Sequence, residues 1–498
     1  MKRILKLFTS RLVQTGVSLL VQIAIICIIN LYVSNVFVYY YLICLALGVF
    51  FAVLVINSKT NAGYKIAWII LLLGVPIFGV SLYVTLSGRI LTRLKRRKML
   101  KITDSIKDKL SSNVEIEDAG VRKQSKYITG FSYSPPVKNT SCKYFDSGQA
   151  FFESLLEDIK SAKETIYLEF FIISTGYLWD EIKKQLIFKV KQGVDVRIIY
   201  DDMGCLDKLS KKEIDGLIKE GIRIKPFNLF LPILDLAINN RDHRKICVVD
   251  SKIAYTGGIN IGDEYVNRKE RFGYWKDSGI ALYGEGAYSF YVFFLSMWEH
   301  ITKERAIFKK SVYEELNSGI FQPYVDSPID FEPVGENVYI NMISNAKKSV
   351  YISTPYFVVD DEMLRAITNA AKSGVKVKII LPGIPDKKVV NQVTKSYYQR
   401  LIESGVKVYE YKKGFNHSKI VIIDEELATI GSVNFDYRSF YLSFECGVFM
   451  YKSEVINDIL LDYNTMLTES IQISTEGART SFLTRIFRAI LQAISPML

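Results

Sequence analysis

The chain has 498 residues, 49% of them hydrophobic, with 64 Lys and Arg against 52 Asp and Glu. That length is too great for one core and, at roughly 100–200 residues per domain, implies two or three domains. The basic excess is local: the first 101 residues hold 13 Lys and Arg and no Asp or Glu, so the remainder is close to neutral, which argues against a nucleic-acid-binding surface on the body.

Residues 1–100 read as a membrane-anchoring region. Three apolar stretches, at 12–33, 36–56 and 66–86, each approach the ~20 residues needed to cross a ~30 Å hydrocarbon layer. No small-residue cleavage site separates them, which favours retained helices over a removed leader. Lys2, Arg3, Lys6 and Arg11 precede the first stretch, and Arg89, Arg93 and Lys95-Arg96-Arg97-Lys98 follow the third. The positive-inside rule puts both clusters in the cytoplasm, which requires an even number of crossings. One of the three stretches is then re-entrant or interfacial. The larger second cluster predicts a multi-pass protein of the cell membrane with its body on the cytoplasmic side, next to anionic lipid heads.

Residues 101–135 are polar, run into Pro135-Pro136 and read as a linker. Two similar halves follow, 136–325 and 326–498. In the first, "ETIYLEFFII" precedes "KQGVDVRIIYDD" and "KEGIRIKPF"; in the second, "KSVYISTPYFVV" precedes "KSGVKVKIILPG" and "ESGVKVYEY". Runs rich in Ile, Val and Tyr read as buried strands, and the helical patterns between them end at glycine. The alternation predicts an α/β fold, one sandwich with a largely parallel or mixed sheet per half. The apolar segment 227–238 is either a lip for acyl chains or a plain buried loop. Near the C-terminus Phe482, Ile486, Ile490 and Ile494 share a helical face, which fits a helix packed on the body or an interfacial membrane helix. Cys27, Cys44, Cys142, Cys205, Cys247 and Cys446 form no Cys-x-x-Cys pair and read as buried thiols of a reducing compartment.

One short string occurs in both halves. His243-Arg244-Lys245, four apolar residues and Asp250 are matched by His417-Ser418-Lys419, four apolar residues and Asp424. Each is followed at the same distance by a glycine turn, Gly257-Gly258-Ile259-Asn260 and Gly431-Ser432-Val433-Asn434. The chain has only 3 His, and two of them stand here; the third, His300, lacks such company and reads as structural. Residues two apart on a strand share a face, so His243 joins Lys245 and His417 joins Lys419. The two aspartates have the opposite parity and take a supporting part in the catalytic set rather than direct chemistry. An imidazole suits attack or proton transfer at neutral pH, while Lys245, Lys419, Asn260 and Asn434 suit the oxygens of a phosphate. Two facing sets let one histidine attack while the other protonates the leaving oxygen. A metal is disfavoured because each lysine would repel it.

These residues resemble the phospholipase D superfamily, whose His-x-Lys-x4-Asp signature comes in pairs. Within it the chain is similar to the bacterial cardiolipin synthases, on "NNRDHRKICVVD" with "GGINIGDEY", "STPYFVVDD", "GSVNFDYRS" with "SFECG", and a terminal "SPML". Gly258 departs from the Ser or Thr frequent there. The resemblance implies two α/β domains around one pseudo-symmetric site and transfer of a phosphatidyl group between two phosphatidylglycerol molecules through a phosphatidyl-histidine. It implies His243 as nucleophile and His417 as acid and base, though local sequence leaves their order open. It also implies Glu445 as a carboxylate that orients a motif histidine and Asp277 as its counterpart. Neither metal nor nucleotide cofactor is implied. A hydrolytic phospholipase D, or a phosphatidyltransferase using another alcohol, has the same motifs.

Overall fold

The computed structural model describes residues 37–86, 106–229, 240–309, 313 and 318–497, with Leu20, Ala24 and Ile28 as isolated helical positions before them. The rest of the first apolar stretch, both basic clusters, Cys27 and most of segment 227–238 lie outside the described residues. The second apolar stretch forms one helix, Phe37–Ile56. Its part Tyr39–Ile56 is the one helix among the described residues long and apolar enough to cross a membrane.

The third stretch is two helices, Ala62–Gly74 and Pro76–Leu86, not one span. Pro76 has no N–H with which to continue the first helix, and its fixed φ suits the start of the next. At 13 residues the first piece reaches about 20 Å, short of the hydrocarbon thickness. The three helices pack together through Ala52, Val55, Leu72, Val80 and Tyr83. Polar groups tie them to the body. Asn61 Nδ2 donates to Asp360 Oδ2 at 2.7 Å and to the Tyr441 hydroxyl at 2.8 Å, and the Tyr64 ring meets Tyr437 and Tyr441 edge-on.

The first half is built on seven strands: β1 (Thr140–Phe145), β2 (Thr165–Phe170), β3 (Asp195–Asp201), β4 (Arg223–Phe227), β6 (Lys245–Val249), β7 (Ile253–Gly257) and β9 (Gly279–Gly284), after the short β5 (Arg241–Asp242) and β8 (Tyr274–Lys276) are set apart. Their order is β1-β9-β7-β6-β2-β3-β4. The pairs from β1 to β2 are antiparallel, and β2-β3-β4 is parallel.

The second half repeats this order with β10 (Ile320–Asp326), β19 (Ser443–Tyr451), β17 (Leu427–Gly431), β16 (Ile420–Ile423), β11 (Ser349–Ser353), β13 (Lys376–Pro382) and β14 (Lys407–Tyr411), then adds β20 (Ser470–Gln472). The sheets are thus mixed, and both motif strands, β6 and β16, are central and fully buried. The linker contributes the helix Ala119–Ser132, which packs on the second sheet's core through Val121 and Ile128.

The halves do not have separate interiors. The helices Glu285–Thr302 and Val455–Thr468 pack in one core with the inner faces of both sheets, where Ile246, Val248 and Leu282 share a cluster with Ile420, Ile430 and Val448. Phe294 sits fully buried within it and stacks on Tyr167 at 4.7 Å between ring centroids. His300 lies in the last turn of the first of these helices.

The C-terminal helix Phe482–Ile494 packs on the body and also leaves an apolar face exposed. Arg488 holds it to the body by donating to Gln392 Oε1 at 3.1 Å. Its Phe482, Leu483, Phe487 and Ile490 are exposed, and its following turn meets the anchor, where a Cβ on Gly63 would lie 2.9 Å from Pro496 Cγ.

Asp250 and Asp424 stand past the far ends of the motif strands, about 20 Å of extended chain from the histidines. Both adopt positive φ, 52° and 54°, where the chain turns back. Asp250 accepts the backbone N–H groups of Lys163, Glu164 and Thr165 at 2.7–2.8 Å, and Asp424 those of Lys347, Lys348 and Ser349 at 2.6–2.8 Å. Their grouping with the catalytic residues is therefore corrected: each locks the start of a neighbouring strand and fixes the motif strand in register.

Two outcomes follow from this architecture. Asp424→Ala leaves three strand-end donors without an acceptor and should lower unfolding free energy by about 1–3 kcal/mol, read by chemical denaturation. Phe294→Ala should cost about 3–5 kcal/mol and shift one transition of the whole body, because both halves share that core; separate transitions, one of them unshifted, would contradict this.

Candidate active site

Each motif histidine is placed by a strand that reaches into the other half. β5 pairs in parallel with β19, Asp242 opposite Phe444, so that the His243 N–H donates to the Phe444 carbonyl at 2.9 Å. The next residue on β19 is Glu445, whose two carboxylate oxygens lie 2.9 and 3.0 Å from His243 Nδ1. The second half does the same in reverse. β15 (Gly414–Asn416) pairs in parallel with β8, Asn416 opposite Lys276, and the His417 N–H donates to the Lys276 carbonyl at 2.7 Å. The next residue is Asp277, with Oδ2 2.7 Å from His417 Nδ1. Each imidazole is therefore held by the opposite half's carboxylate.

Asp277 and Glu445 differ in spacing from their motifs but agree in register. Gly257 pairs with Gly279 and Gly431 with Gly447, and each carboxylate precedes its partner glycine by two. The same packing explains Gly258. A Cβ there would sit 2.2 Å from Asp277 Oδ1. In the second half the corresponding Ser432 uses that space, and its hydroxyl donates to Glu445 Oε2.

With Nδ1 bound to a carboxylate, each ring keeps Nε2 for chemistry. Lys245 donates to the carbonyl of His243 and Lys419 to that of His417, which holds each ammonium beside its imidazole. Both lysines act on both rings, the electrostatic mark of one shared site. Burial, and then these cations, push His243 well below its ordinary value and His417 down to about 4. Burial also pushes Lys245 down to about 8 and Lys419 to about 7. Burial raises Glu445 to about 7 against the pull of Lys245. Burial works the same way on Asp277, but the contacts with His417 and Lys419 outweigh it and keep that carboxyl low. The site is short of an anion: a phosphate brought to it would raise all four basic groups.

The two asparagines are not equivalent. Asn260 Oδ1 accepts from the Ile172 N–H at 3.1 Å and its amide donates to the Tyr265 hydroxyl at 3.1 Å, leaving one N–H. Asn434 is equally buried, and its Oδ1 has no hydrogen-bond partner. Aromatic rings wall the histidines: Phe171 lies 5.1 Å from His243, and Trp275 and Phe415 lie 5.2 and 5.6 Å from His417 between ring centroids. Among the described residues no group of three or more His, Cys, Asp or Glu could hold a metal ion.

Several residues here escaped the motif search. Under His243 the buried Arg244 pairs with Glu169 and with Asp242, whereas the equivalent positions under His417 hold the neutral trio Ser418, Ser353 and Asn416. Lys387 and Arg438 add positive charge beside His243. Arg438 lies four residues after Asn434 and was visible as a charge close behind the motif; Lys387 left no signal, being far off in sequence.

Known proteins share this organisation. Residues 155–279 and 339–467 match the family described as cardiolipin synthase, PLD-like domain, and residues 46–88 match the Phospholipase_D-nuclease N-terminal family. A cardiolipin synthase of Alkalihalophilus pseudofirmus is 32% identical over 464 residues, covering 90% of this chain and 92% of its own. The cardiolipin synthase 2 of Bacillus anthracis is 38% identical over 365 residues, 72% of this chain and 71% of its own. An uncharacterized protein of Streptococcus mutans is 38% identical over 453 residues, 89% of this chain and 98% of its own. The crystal structure of a phosphatidylserine synthase from Haemophilus influenzae superposes with a TM-score of 0.56 at 15% identity, over 76% of this chain and 100% of that one, a likeness of fold. With both motif-bearing halves matched and relatives of this identity along most of its length, the chain belongs to the cardiolipin synthase family of phospholipase D-like phosphatidyltransferases.

Proposed function

We propose that the protein is a cardiolipin synthase that moves a phosphatidyl group from one phosphatidylglycerol to the hydroxyl of a second and releases glycerol. The observation that carries this reading is the crossed pair of His–carboxylate bonds with two lysines in one buried site. The bound phosphate's charge raises His417, which takes a proton from solvent at Nε2; His243 Nε2 then attacks phosphorus, the P–N bond forms as the P–O bond to glycerol breaks, and His417 gives its Nε2 proton to the departing oxygen. His417 then takes the proton of the second lipid's hydroxyl, which attacks phosphorus and displaces the histidine.

The electrostatics favour this division of labour. A nucleophile must be neutral, and His243 is held well below its ordinary value. A proton carrier needs a firm counter-ion when charged, and Asp277, kept ionised, is a better one than Glu445 at about 7. Lys245, Lys419 and the amides of Asn260 and Asn434 hold the non-bridging oxygens. The aromatic wall limits water at the intermediate, which favours transfer over hydrolysis.

Membrane attachment supports the same end by concentrating the lipid acceptor. We place the body on the cytoplasmic side, with the exposed apolar face of the helix Phe482–Ile494 lying in the lipid interface beside the anchor helices.

Purified full-length protein in phosphatidylglycerol micelles should release glycerol and form cardiolipin without added metal or CTP. Phosphatidic acid as sole product would make it a hydrolase, and a need for CDP-diacylglycerol would make it a different transferase. His243→Ala and His417→Ala should each cut turnover by roughly 10²–10⁴-fold; full activity in either removes the assignment.

The lysines set the alkaline limb. Phosphate binding needs the protonated ammonium, so it is complete below the free-site values and is lost as pH rises through about 7 for Lys419 and about 8 for Lys245. The expected result is a kcat/KM that falls across that interval, with the decline carried by KM; a flat profile to pH 9 would contradict it.

A further inference from the structure

The two half-sites match at their histidines and lysines and differ in charge just beyond. The offset of 174 residues that carries His243 onto His417 and Asn260 onto Asn434 also carries Glu264 onto Arg438. Glu264 turns to Arg271, 3.6 Å away. Arg438 makes no ion pair among the described residues and stands on the one-turn helix Tyr437–Tyr441, directly after β18 (Phe435–Asp436).

β18 pairs in parallel with β12 (Phe357–Val358), which sets Tyr356 beside Asn434. Lys387 Nζ stands 4.9 Å over the Tyr356 ring, and the Tyr356 hydroxyl donates to the neighbouring Asp386 at 2.6 Å. Lys387 is exposed and also makes no ion pair among the described residues. Both cations act on His243 and on Asp436, so they border one region at the second-half edge of the site.

The proposed reaction needs such a region. It brings two phosphodiesters together, and the paired histidines and lysines surround only one phosphorus. The acceptor lipid carries its own anion, separated from the attacking hydroxyl by a three-carbon glycerol. An unpaired charge brought up to the histidines and the buried lysines without a counter-charge of its own is costly. Asn434 Oδ1, buried and without a partner, is a hydrogen-bond acceptor in need of a donor, which a glycerol hydroxyl supplies and a phosphodiester does not.

The geometry points to a second phosphodiester subsite at Lys387 and Arg438, which holds the acceptor lipid's own phosphate while Asn434 takes a glycerol hydroxyl; this rests on the phosphatidyl-transfer reading above. The subsite selects an anionic alcohol over water and over neutral alcohols. It exists on one side only, because the first half has Glu264 where the second has Arg438.

The test uses full-length protein with phosphatidylglycerol vesicles and isotopically labelled glycerol. Exchange of label into phosphatidylglycerol needs the donor site and a neutral alcohol; cardiolipin formation also needs the anionic acceptor. In the double variant Lys387→Gln/Arg438→Gln the ratio of cardiolipin formed to glycerol exchanged, at sub-saturating lipid, should fall about tenfold. The charge-conserving pair Lys387→Arg/Arg438→Lys should hold the ratio near wild type. The ratio is internal to each preparation, so a partly misfolded variant still reports on it. An unchanged ratio in the glutamine variant, or an equal loss of both activities, overturns the subsite while leaving the parent reading intact. A wild type that exchanges or hydrolyses but makes no cardiolipin overturns the parent reading, and the subsite with it.

Discussion

Two hydrogen bonds that cross between the halves, from His243 Nδ1 to Glu445 and from His417 Nδ1 to Asp277, govern the architecture. A half on its own would have an imidazole with no carboxylate at Nδ1 to fix its tautomer, and a buried carboxylate left with only the donors of its own half, among them Ser432 for Glu445 and the Ser278 N–H for Asp277. Holding both bonds at hydrogen-bond distance requires the halves to stay in one orientation. The common core around the helices Glu285–Thr302 and Val455–Thr468 supplies that rigidity, and the short parallel pairings β5–β19 and β15–β8 carry it to the residue before each histidine. Asp250 and Asp424 serve the same end from the opposite end of each motif strand.

The arrangement stores an imbalance. Two buried lysines, the buried His417 and the half-buried His243 surround a space whose carboxylates are already committed to Nδ1 atoms, so all four basic groups are depressed. That is unfavourable for the empty protein and favourable for a phosphodiester, whose charge supplies what burial withholds. Lysines lowered to about 7 and 8 take up protons as the anion arrives, so binding and protonation are one event near neutral pH.

Much of this was legible in the chain because one motif is spelled twice, each time in a like context. The duplication exposed His243, Lys245, His417 and Lys419 by repetition, and the period-two rule put each pair on one face. The rule also set Asp250 and Asp424 apart from the chemistry, and their hydrogen bonds to strand-end N–H groups supply the reason. What the string could not carry was the crossing itself, since Asp277 and Glu445 stand at unlike distances from their motifs and are equated only by strand register. Likewise an apolar count over 66–86 read as one span, whereas Pro76 divides it into two short helices. Asn260 and Asn434 look identical in sequence, but the Ile172 N–H occupies one and leaves the other open.

Several of the departures from symmetry, the open Asn434 and the cation at Arg438 among them, fall on the half that the anchor contacts. Asn61 and Tyr64, at the start of the anchor helix Ala62–Gly74, contact Asp360, Tyr437 and Tyr441, all of the second half. Tyr437 and Tyr441 bracket Arg438 on a single helical turn, and that turn begins three residues after Asn434. The attachment to the lipid phase and the polar groups of the site are thus joined through one short segment, 434–441. A symmetric pair of half-sites has no intrinsic way to tell donor from acceptor. In the transfer proposed above, an anchor, an open Asn434 and extra cations on the same half would give the donor and acceptor lipids different surfaces to meet.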